Sequence, residues 1–298
     1  SGDAFLFHFK GFIMTAWHEA ARVIPTLGTW DVAVCGAGPA GCAAAMAAAR
    51  EGARTVLIER EGYPGGAPAT QFVIPILSTN GADFQGLWHA LIRELRTLGG
   101  VSDFTRQRTP IPHRHAQADW IVASMHPEAV KIAWDRMLAQ AGVTVLPRVL
   151  VSAALMDGPA VRGIAVETKK GRFAIRSGCT VDATGDGDVC ARAGAAFDEG
   201  VGGQPWAMAV GLMAIAGGIP SCESDVAGHG RAGFGRTLGP CLHTRLAGMM
   251  AGRRIDPLDE QALGTFMRVG REHYWKQLRA RCAEPGMERV FPVLSAGA

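Results

Sequence analysis

The sequence has few tyrosines, few charged residues and no closely spaced cysteines. Tyr occurs 2 times in 298 residues, charged residues make up 19%, and the formal net charge is +3. With no dense basic run, this charge gives no support for nucleic-acid binding. The 7 cysteines are dispersed and form no C-x-x-C pair. This pattern favours free thiols in a reducing, cytoplasmic compartment over a disulfide framework.

The sequence also lacks a hydrophobic run long enough to span a membrane. The best candidate, residues 207–219, is too short and contains three glycines. The apolar beginning of the chain has no basic start followed by a cleavage site, so we do not interpret it as a signal peptide. Met14 has the character of a natural start. We therefore assign residues 1–20 to an N-terminal extension.

The stretch DVAVCGAGPAGCAAAMAAAREGARTVLIER, residues 31–60, organises the rest of the chain. Its pattern predicts a strand at 31–35, a helix at 40–50 and a strand at 55–58. Gly36, Gly38 and Gly41 form G-x-G-x-x-G between the first strand and the helix. The first glycine permits a tight turn, the second leaves room for a pyrophosphate, and the third lets the helix lie close to the sheet.

An acidic residue stands at the end of the second predicted strand. Glu59 follows Gly41 by 18 residues, and a carboxylate at this position can accept hydrogen bonds from an adenosine ribose. The complete strand–turn–helix–strand–acid order favours a dinucleotide-binding unit over a plain glycine-rich turn. Cys35 and Cys42 flank the turn, where packing is their expected role.

The remaining pattern predicts further elements on both sides of a variable middle. We expect a short lead-in strand at 21–27, helices at 86–98, 127–141 and 259–280, and a strand at 143–146. Residues 149–177 predict a three-stranded antiparallel meander with turns at Asp157-Gly158 and Lys170-Gly171, followed by another strand at 179–183. Residues 99–125 lack periodicity, so we interpret them as a loop-rich excursion.

Two loops of small residues follow predicted strands. EGYPGGAPAT, residues 61–70, contains an adjacent glycine pair, and ATGDGD, residues 183–188, combines small residues with acids. Either loop could bring backbone amides close to a ligand, and either could be an ordinary turn.

Polar clusters outside these loops give weaker signals. His113-Arg114-His115 could bind a carboxylate or act as acid and base, or could lie in a solvated loop. The two histidines have no Cys or carboxylate partner at helical spacing, so we predict no metal site. Arg231 and Arg236 could bind an anionic substrate or be surface charges. His126 precedes Pro127 and is expected to cap or pack at a helix start.

The order of these motifs resembles that of FAD-dependent oxidoreductases of the glutathione-reductase-like superfamily, related to the flavoproteins of heterodisulfide reductase and of fumarate reductase. The resemblance rests on residues 31–60, YPGGAPAT, HPEAVKIAWDRMLAQAGVTVL and TVDATGDGDVCARAGAAF. It implies an α/β fold: an FAD/NAD(P)-binding Rossmann-like parallel sheet with an antiparallel β-meander, plus a substrate (cap) domain. The FAD-binding domain would comprise residues 21–70 and 127–200, and the substrate region residues 71–126 and 201–298.

The resemblance also implies a role for residues along the cofactor, FAD, but identifies no catalytic residue. The residues that would hold the pyrophosphate are Gly36, Gly38, Pro39, Ala40 and Gly41. Those beside the adenosine would be Glu59, Arg60 and, through its backbone, Val149. Those along the flavin would be Gly65, Gly66, Ala67 and Thr70, and those in the closing turn Ala183, Thr184, Gly185 and Asp186.

The chain departs from this family pattern after Gly239. Family members usually continue into a further strand–Gly-Asp–helix segment that completes the flavin site, and no segment of that form follows. We therefore expect a chain truncated at its C-terminus.

Three functions are compatible with the sequence. The favoured one is an FAD-dependent oxidoreductase that moves hydride or electrons between flavin and a small organic substrate. No cysteine pair follows the glycine fingerprint, so we discount a disulfide reductase. The alternatives are a dinucleotide-consuming synthase of the thiazole-forming type and a non-catalytic FAD-binding subunit. The expected partner is a small molecule, with an anion as one candidate; oligomerisation is compatible with the sequence.

Overall fold

The computed structural model describes residues 21–78, 85–110, 117–198, 212–217, 242–247, 259–286, 288–289 and 291–295. The strands are β1 (Thr26–Cys35), β2 (Thr55–Glu59), β3 (Pro75–Ser78), β4 (Thr105–Pro110), β5 (Gln117–Ser124), β6 (Thr144–Pro147), β7 (Leu150–Asp157), β8 (Ala160–Thr168), β9 (Gly171–Asp182), β10 (Leu212–Gly217), β11 (Leu242–Ala247) and β12 (Phe291–Ser295). The helices are α1 (Pro39–Arg50), α2 (Ala67–Thr70), α3 (Gly86–Thr97), α4 (Pro127–Gln140), α5 (Asp188–Arg192) and α6 (Glu260–Cys282).

A six-stranded sheet forms the centre of the described structure, with strand order β6-β2-β1-β9-β8-β7. Strands β6, β2, β1 and β9 are parallel neighbours, whereas β9, β8 and β7 pair antiparallel. This arrangement confirms the predicted α/β fold, a Rossmann-like parallel sheet with an antiparallel meander. Because parallel strands end at the same edge of a sheet, the loops after β1, β2 and β9 meet there.

Both faces of this sheet are covered, which the alternation of side chains along the strands explains. Val34 and Leu57 pack on one face with α1, α3 and α4. Ala33, Val56 and Ile58 pack on the other face with residues of the meander and α5. The apolar character of β1 and β2 therefore reflects burial on both sides.

Strand β9 corrects the prediction of a separate meander strand and return strand. It runs without interruption from Gly171 to Asp182. Its first half pairs with β8, and residues 174–182 pair with β1. Ser177 and Gly178 weaken the apolar pattern but do not break the strand, because β1 pairs with it on both sides of that point. The meander is thereby continuous with the parallel sheet.

Two further predictions were wrong. The lead-in strand at 21–27 is not separate: the chain enters β1 at Thr26, and β1 is one strand of 10 residues. The segment 99–125 is not loop-rich throughout, because β4 and β5 pair antiparallel and β3 extends them to a three-stranded sheet. The sequence of β4, TRQRTP, is polar and gives no strand signal, and the strand forms by pairing with β5.

A third sheet has the order β11-β10-β12. It falls within residues 201–298 and the second sheet within residues 71–126, the two segments assigned above to a substrate region. That assignment, and the domain boundaries, remain predictions. Within the described residues, no helix combines the length and apolar character that crossing a membrane requires.

Arg148, between β6 and β7, has a left-handed backbone with φ of 58°. This conformation costs an L-residue about 1 kcal/mol, and glycine adopts it without that cost. The exposed Arg148→Gly change should therefore raise the free energy of unfolding by about 0.5 kcal/mol, measured by urea denaturation. The matched control is Arg162→Gly within β8, which should lower it by about 1 kcal/mol. If Arg148→Gly lowers the free energy of unfolding as much as Arg162→Gly does, the backbone at Arg148 is not strained.

Candidate functional site

The turn from β1 into α1 lies at the carboxyl edge of the central sheet. The Gly36 N–H donates to the Ile58 carbonyl at 2.8 Å. Gly36 has φ of 94°, and a Cβ there would lie 2.4 Å from the Ala183 carbonyl oxygen. A Cβ on Gly41 would collide with the Gly36 carbonyl oxygen at 1.8 Å. These two glycines are required by the packing of the turn itself.

Gly38 differs from its two neighbours because the space beside it is open. A Cβ there would meet only the Gly66 Cα, at 3.9 Å. Gly38 is the N-cap of α1, and no side chain caps that helix end. The first-turn N–H groups therefore have no side-chain acceptor, and the space beside Gly38 is open. A pyrophosphate fits this arrangement, since helix N-termini favour phosphate groups.

The glycine pair after β2 packs directly on this turn. The Gly65 N–H donates to the Ala37 carbonyl at 2.8 Å. A Cβ on Gly66 would lie 2.7 Å from the Gly38 Cα, so only glycine permits this approach. We call residues 36–41 and 65–66 together the glycine cradle. Beyond it, Ala67 begins α2, and the Thr70 hydroxyl donates to the Gly66 carbonyl at 2.8 Å.

Glu59 joins the turn after β1 to the loop after β2. Its side chain is buried, and its carboxylate accepts hydrogen bonds from the Ala37 N–H at 2.7 Å and the Glu61 N–H at 2.8 Å. This structural role was not predicted from the sequence. Its contact with a ribose remains a prediction, as does that of Arg60, whose exposed side chain lies 3.9 Å from the Glu61 carboxylate.

The structure brings the other predicted residues to the same edge of the sheet. The Val149 N–H donates to the Glu59 carbonyl, and the Ala183 N–H donates to the Cys35 carbonyl. Gly185 and Asp186 are exposed in the turn that follows β9. The predicted residues are therefore neighbours, and their contacts with a cofactor remain predictions.

Asp182, at the end of β9, is a residue that sequence reasoning missed. One carboxylate oxygen accepts from the N–H and hydroxyl of Thr184, and the other accepts from the N–H groups of Val189 and Cys190. Partial burial raises the pKa of this carboxyl, but the hydrogen bonds from Cys190 and Thr184 outweigh burial and lower the pKa overall. An acid directly before ATGDGD was the available signal, since Asp commonly binds backbone N–H groups two residues on.

Of the remaining candidates, His126 alone lies in the part of the chain that the structure describes. His113-Arg114-His115, Arg231 and Arg236 lie outside the described residues. His126 caps α4 as predicted, its Nδ1 accepting from the Glu128 N–H at 3.2 Å. Among the described side chains, no group of three His, Cys, Asp or Glu residues could hold a metal ion.

The two cysteines beside the turn are packing residues, as predicted. Cys35 and Cys42 are fully buried. Burial, reinforced by the charge of Asp182, raises the pKa of Cys35 to about 12. Burial and the charge of Glu59 raise the pKa of Cys42 as well. Both thiols are therefore protonated near neutral pH and unsuited to nucleophilic chemistry.

Asp182→Asn should destabilise the protein by about 2 kcal/mol at pH 7, because the amide nitrogen presents a donor to backbone N–H groups. The folded-state pKa of Asp182 is lowered, so its contribution is present above the unfolded pKa near 4 and is lost as pH falls through the folded pKa. Urea denaturation should therefore show a difference between wild type and Asp182→Asn that shrinks from about pH 5 downward. A difference independent of pH would contradict this charge dependence.

The chain matches a family model described as FAD dependent oxidoreductase over residues 31–269. No curated protein sequence matches it. Three solved structures share its fold at low identity.

A geranylgeranyl bacteriochlorophyll reductase-like protein from Thermoplasma acidophilum is 15% identical with a TM-score of 0.51; the alignment covers 90% of this chain and 65% of that one. The myxobacterial chondrochloren halogenase is 16% identical with a TM-score of 0.52, covering 89% and 61%. The p-nitrophenol 4-monooxygenase of Pseudomonas putida is 13% identical with a TM-score of 0.52, covering 90% and 67%. This chain thus spans about two thirds of each.

The three structures support the fold alone, whereas the family model covers most of this chain. The family predicted from the glycine fingerprint and its neighbouring motifs is confirmed, and with it FAD as the cofactor. This chain belongs to the FAD dependent oxidoreductase family.

Proposed function

We propose that this protein transfers hydride or electrons between a bound FAD and a small organic substrate. The observation that carries the proposal is the open space beside Gly38, where a Cβ would meet only the Gly66 Cα at 3.9 Å. Protein atoms occupy the space beside Gly36 and Gly41, whereas the space beside Gly38 is not filled by protein atoms. FAD supplies the redox chemistry when bound, and the protein binds and orients it.

The residues at this edge have distinct parts in the proposal. Backbone N–H groups of α1 at Ala40 and Gly41 bind the pyrophosphate, and Pro39 sets the direction of the helix. The flavin runs along Gly65, Gly66, Ala67 and Thr70. Glu59, Arg60 and the backbone of Val149 bind the adenosine, while Ala183, Thr184, Gly185 and Asp186 close over the nucleotide.

The proposed substrate is a small molecule, with an anion as one candidate because His113, Arg114, His115, Arg231 and Arg236 lie in the segments assigned to the substrate region. No residue is assigned as catalytic. Two of the similar structures are named as a halogenase and a monooxygenase, so one fold hosts different reactions and does not choose among them.

We also propose a cytoplasmic location. Within the described residues, Cys35, Cys42, Cys179 and Cys190 are free thiols. Free thiols persist in a reducing compartment, and two of these side chains are exposed.

The first test is the visible absorption spectrum of the purified protein, with mass spectrometry of whatever heat releases. Flavin bands and released FAD are expected, and anaerobic bleaching of those bands by a small organic donor would identify the substrate class. Release of NAD or an adenylate without flavin would favour the thiazole-forming type of synthase. Bound FAD that no donor reduces would favour a non-catalytic subunit.

The glycine cradle gives a matched pair of variants. In Gly38→Ala the new methyl lies at ordinary contact distance from Gly66, so stability should change by less than about 1 kcal/mol. The methyl occupies the proposed pyrophosphate position, so FAD affinity, measured by fluorescence titration, should fall about a hundredfold.

The partner variant is Gly41→Ala, which places a Cβ 1.8 Å from the Gly36 carbonyl oxygen. It should lower the free energy of unfolding by about 3 kcal/mol through overpacking. If Gly38→Ala binds FAD with wild-type affinity, the pyrophosphate does not lie at this turn and the assignment is wrong.

A further inference from the structure

Helix α4 packs against Gly65, the first residue of the glycine pair. A Cβ built on Gly65 would lie 3.2 Å from the Val130 Cγ1 and 3.9 Å from the Trp134 Cδ1. Val130, Lys131 and Trp134 occur at the spacing of one helix face. This face of α4 therefore contacts the loop that carries residues 65–66.

Lys131 on this face contacts the same loop two residues before Gly65. Its Nζ lies 3.8 Å from the centre of the Tyr63 ring and 2.7 Å from the Glu128 Oε1. The Lys131 side chain is 17% exposed. A largely dehydrated ammonium above an aromatic face is attracted to it more strongly than one in water.

We propose that Lys131 is a positioning residue for FAD: by holding Tyr63, it keeps Gly65 and Gly66 packed on the turn at Gly38. The ligand in this inference rests on the proposed function. The Nζ of Lys131 contacts the Tyr63 ring and the Glu128 carboxylate. The effect assigned to Lys131 is therefore on the ring and the loop.

The size of the effect follows from the populations of the loop. FAD binds in the proposed manner only when Gly66 lies on Gly38, so its apparent dissociation constant rises as the closed fraction falls. If the Lys131–Tyr63 contact raises that fraction from about one tenth to nearly all molecules, removing it should weaken FAD binding about tenfold.

Five variants and one double variant test this. Lys131→Met and Tyr63→Leu remove the contact, whereas Lys131→Arg and Tyr63→Phe keep a cation above an aromatic ring. Arg136→Met is the matched control, since Arg136 lies on the same helix but pairs with Glu94 of α3 at 2.9 Å. FAD affinity is measured by fluorescence titration at low and at high salt.

Lys131→Met and Tyr63→Leu should each raise the dissociation constant about tenfold, and the double variant should raise it no further, because both changes remove one contact. The two conservative variants should stay within about threefold of wild type, and the control should be unchanged. The salt dependence should be the same in Lys131→Met as in wild type. A reduced salt dependence would instead show direct binding of phosphate by Lys131 and overturn the inference, as would unchanged affinity in both contact-removing variants.

A second measurement does not depend on flavin. Arg60 is exposed at the start of this loop, so trypsin cleavage after Arg60, followed by mass spectrometry in the absence of FAD, reports loop opening. Cleavage should be faster in Lys131→Met and Tyr63→Leu than in wild type and Arg136→Met. Equal rates would contradict the positioning role. If wild type binds no FAD, the proposed function fails while this measurement still decides whether Lys131 holds the loop.

Discussion

The hydrogen bonds of the Glu59 carboxylate are the constraint on which the rest of the site depends. A buried carboxylate is costly unless it is hydrogen-bonded, and Glu59 satisfies this condition with the N–H groups of Ala37 and Glu61. One side chain thereby fixes both the turn after β1 and the loop after β2. Both backbone groups of Ala37 are hydrogen-bonded, because its N–H donates to Glu59 and its carbonyl accepts the Gly65 N–H. Any movement of the loop after β2 must therefore disturb the glycine turn, which is the physical basis of the positioning role that we propose for Lys131.

A second carboxylate has the same function on the other side of β1. Asp182 ends β9, the neighbour of β1 opposite β2, and it also accepts backbone N–H groups of the turn that follows and of α5. Two acids that flank the central strand thus serve as internal hydrogen-bond acceptors for loops. At the start of α1, beside Gly38, no side chain caps the backbone N–H groups. A site of this composition binds and orients a ligand, and the chemistry then comes from the bound cofactor.

The parts of this structure that were predicted correctly have local signals. The elements of residues 31–60, the capping by His126 and the packing of Cys35 and Cys42 follow from periodicity, capping chemistry and residue size. The wrong predictions concern pairing at a distance. Strand β4 is polar and depends on β5, and the continuity of β9 depends on pairing with both β8 and β1. The fourfold acceptor role of Asp182 also went unseen, because sequence shows an acid before a turn but not which N–H groups will face it.

Close contact and chemistry restrict different positions in this site. At Gly36, Gly41 and Gly66 a Cβ would lie within 2.7 Å of backbone atoms, so these positions exclude side chains whatever the ligand. At Gly38 the protein itself tolerates a methyl, and only a ligand would exclude it. A site built in this way places few demands on side-chain identity outside its glycines. We therefore expect substrate choice to depend on side chains outside the glycine cradle, where contact imposes no such restriction.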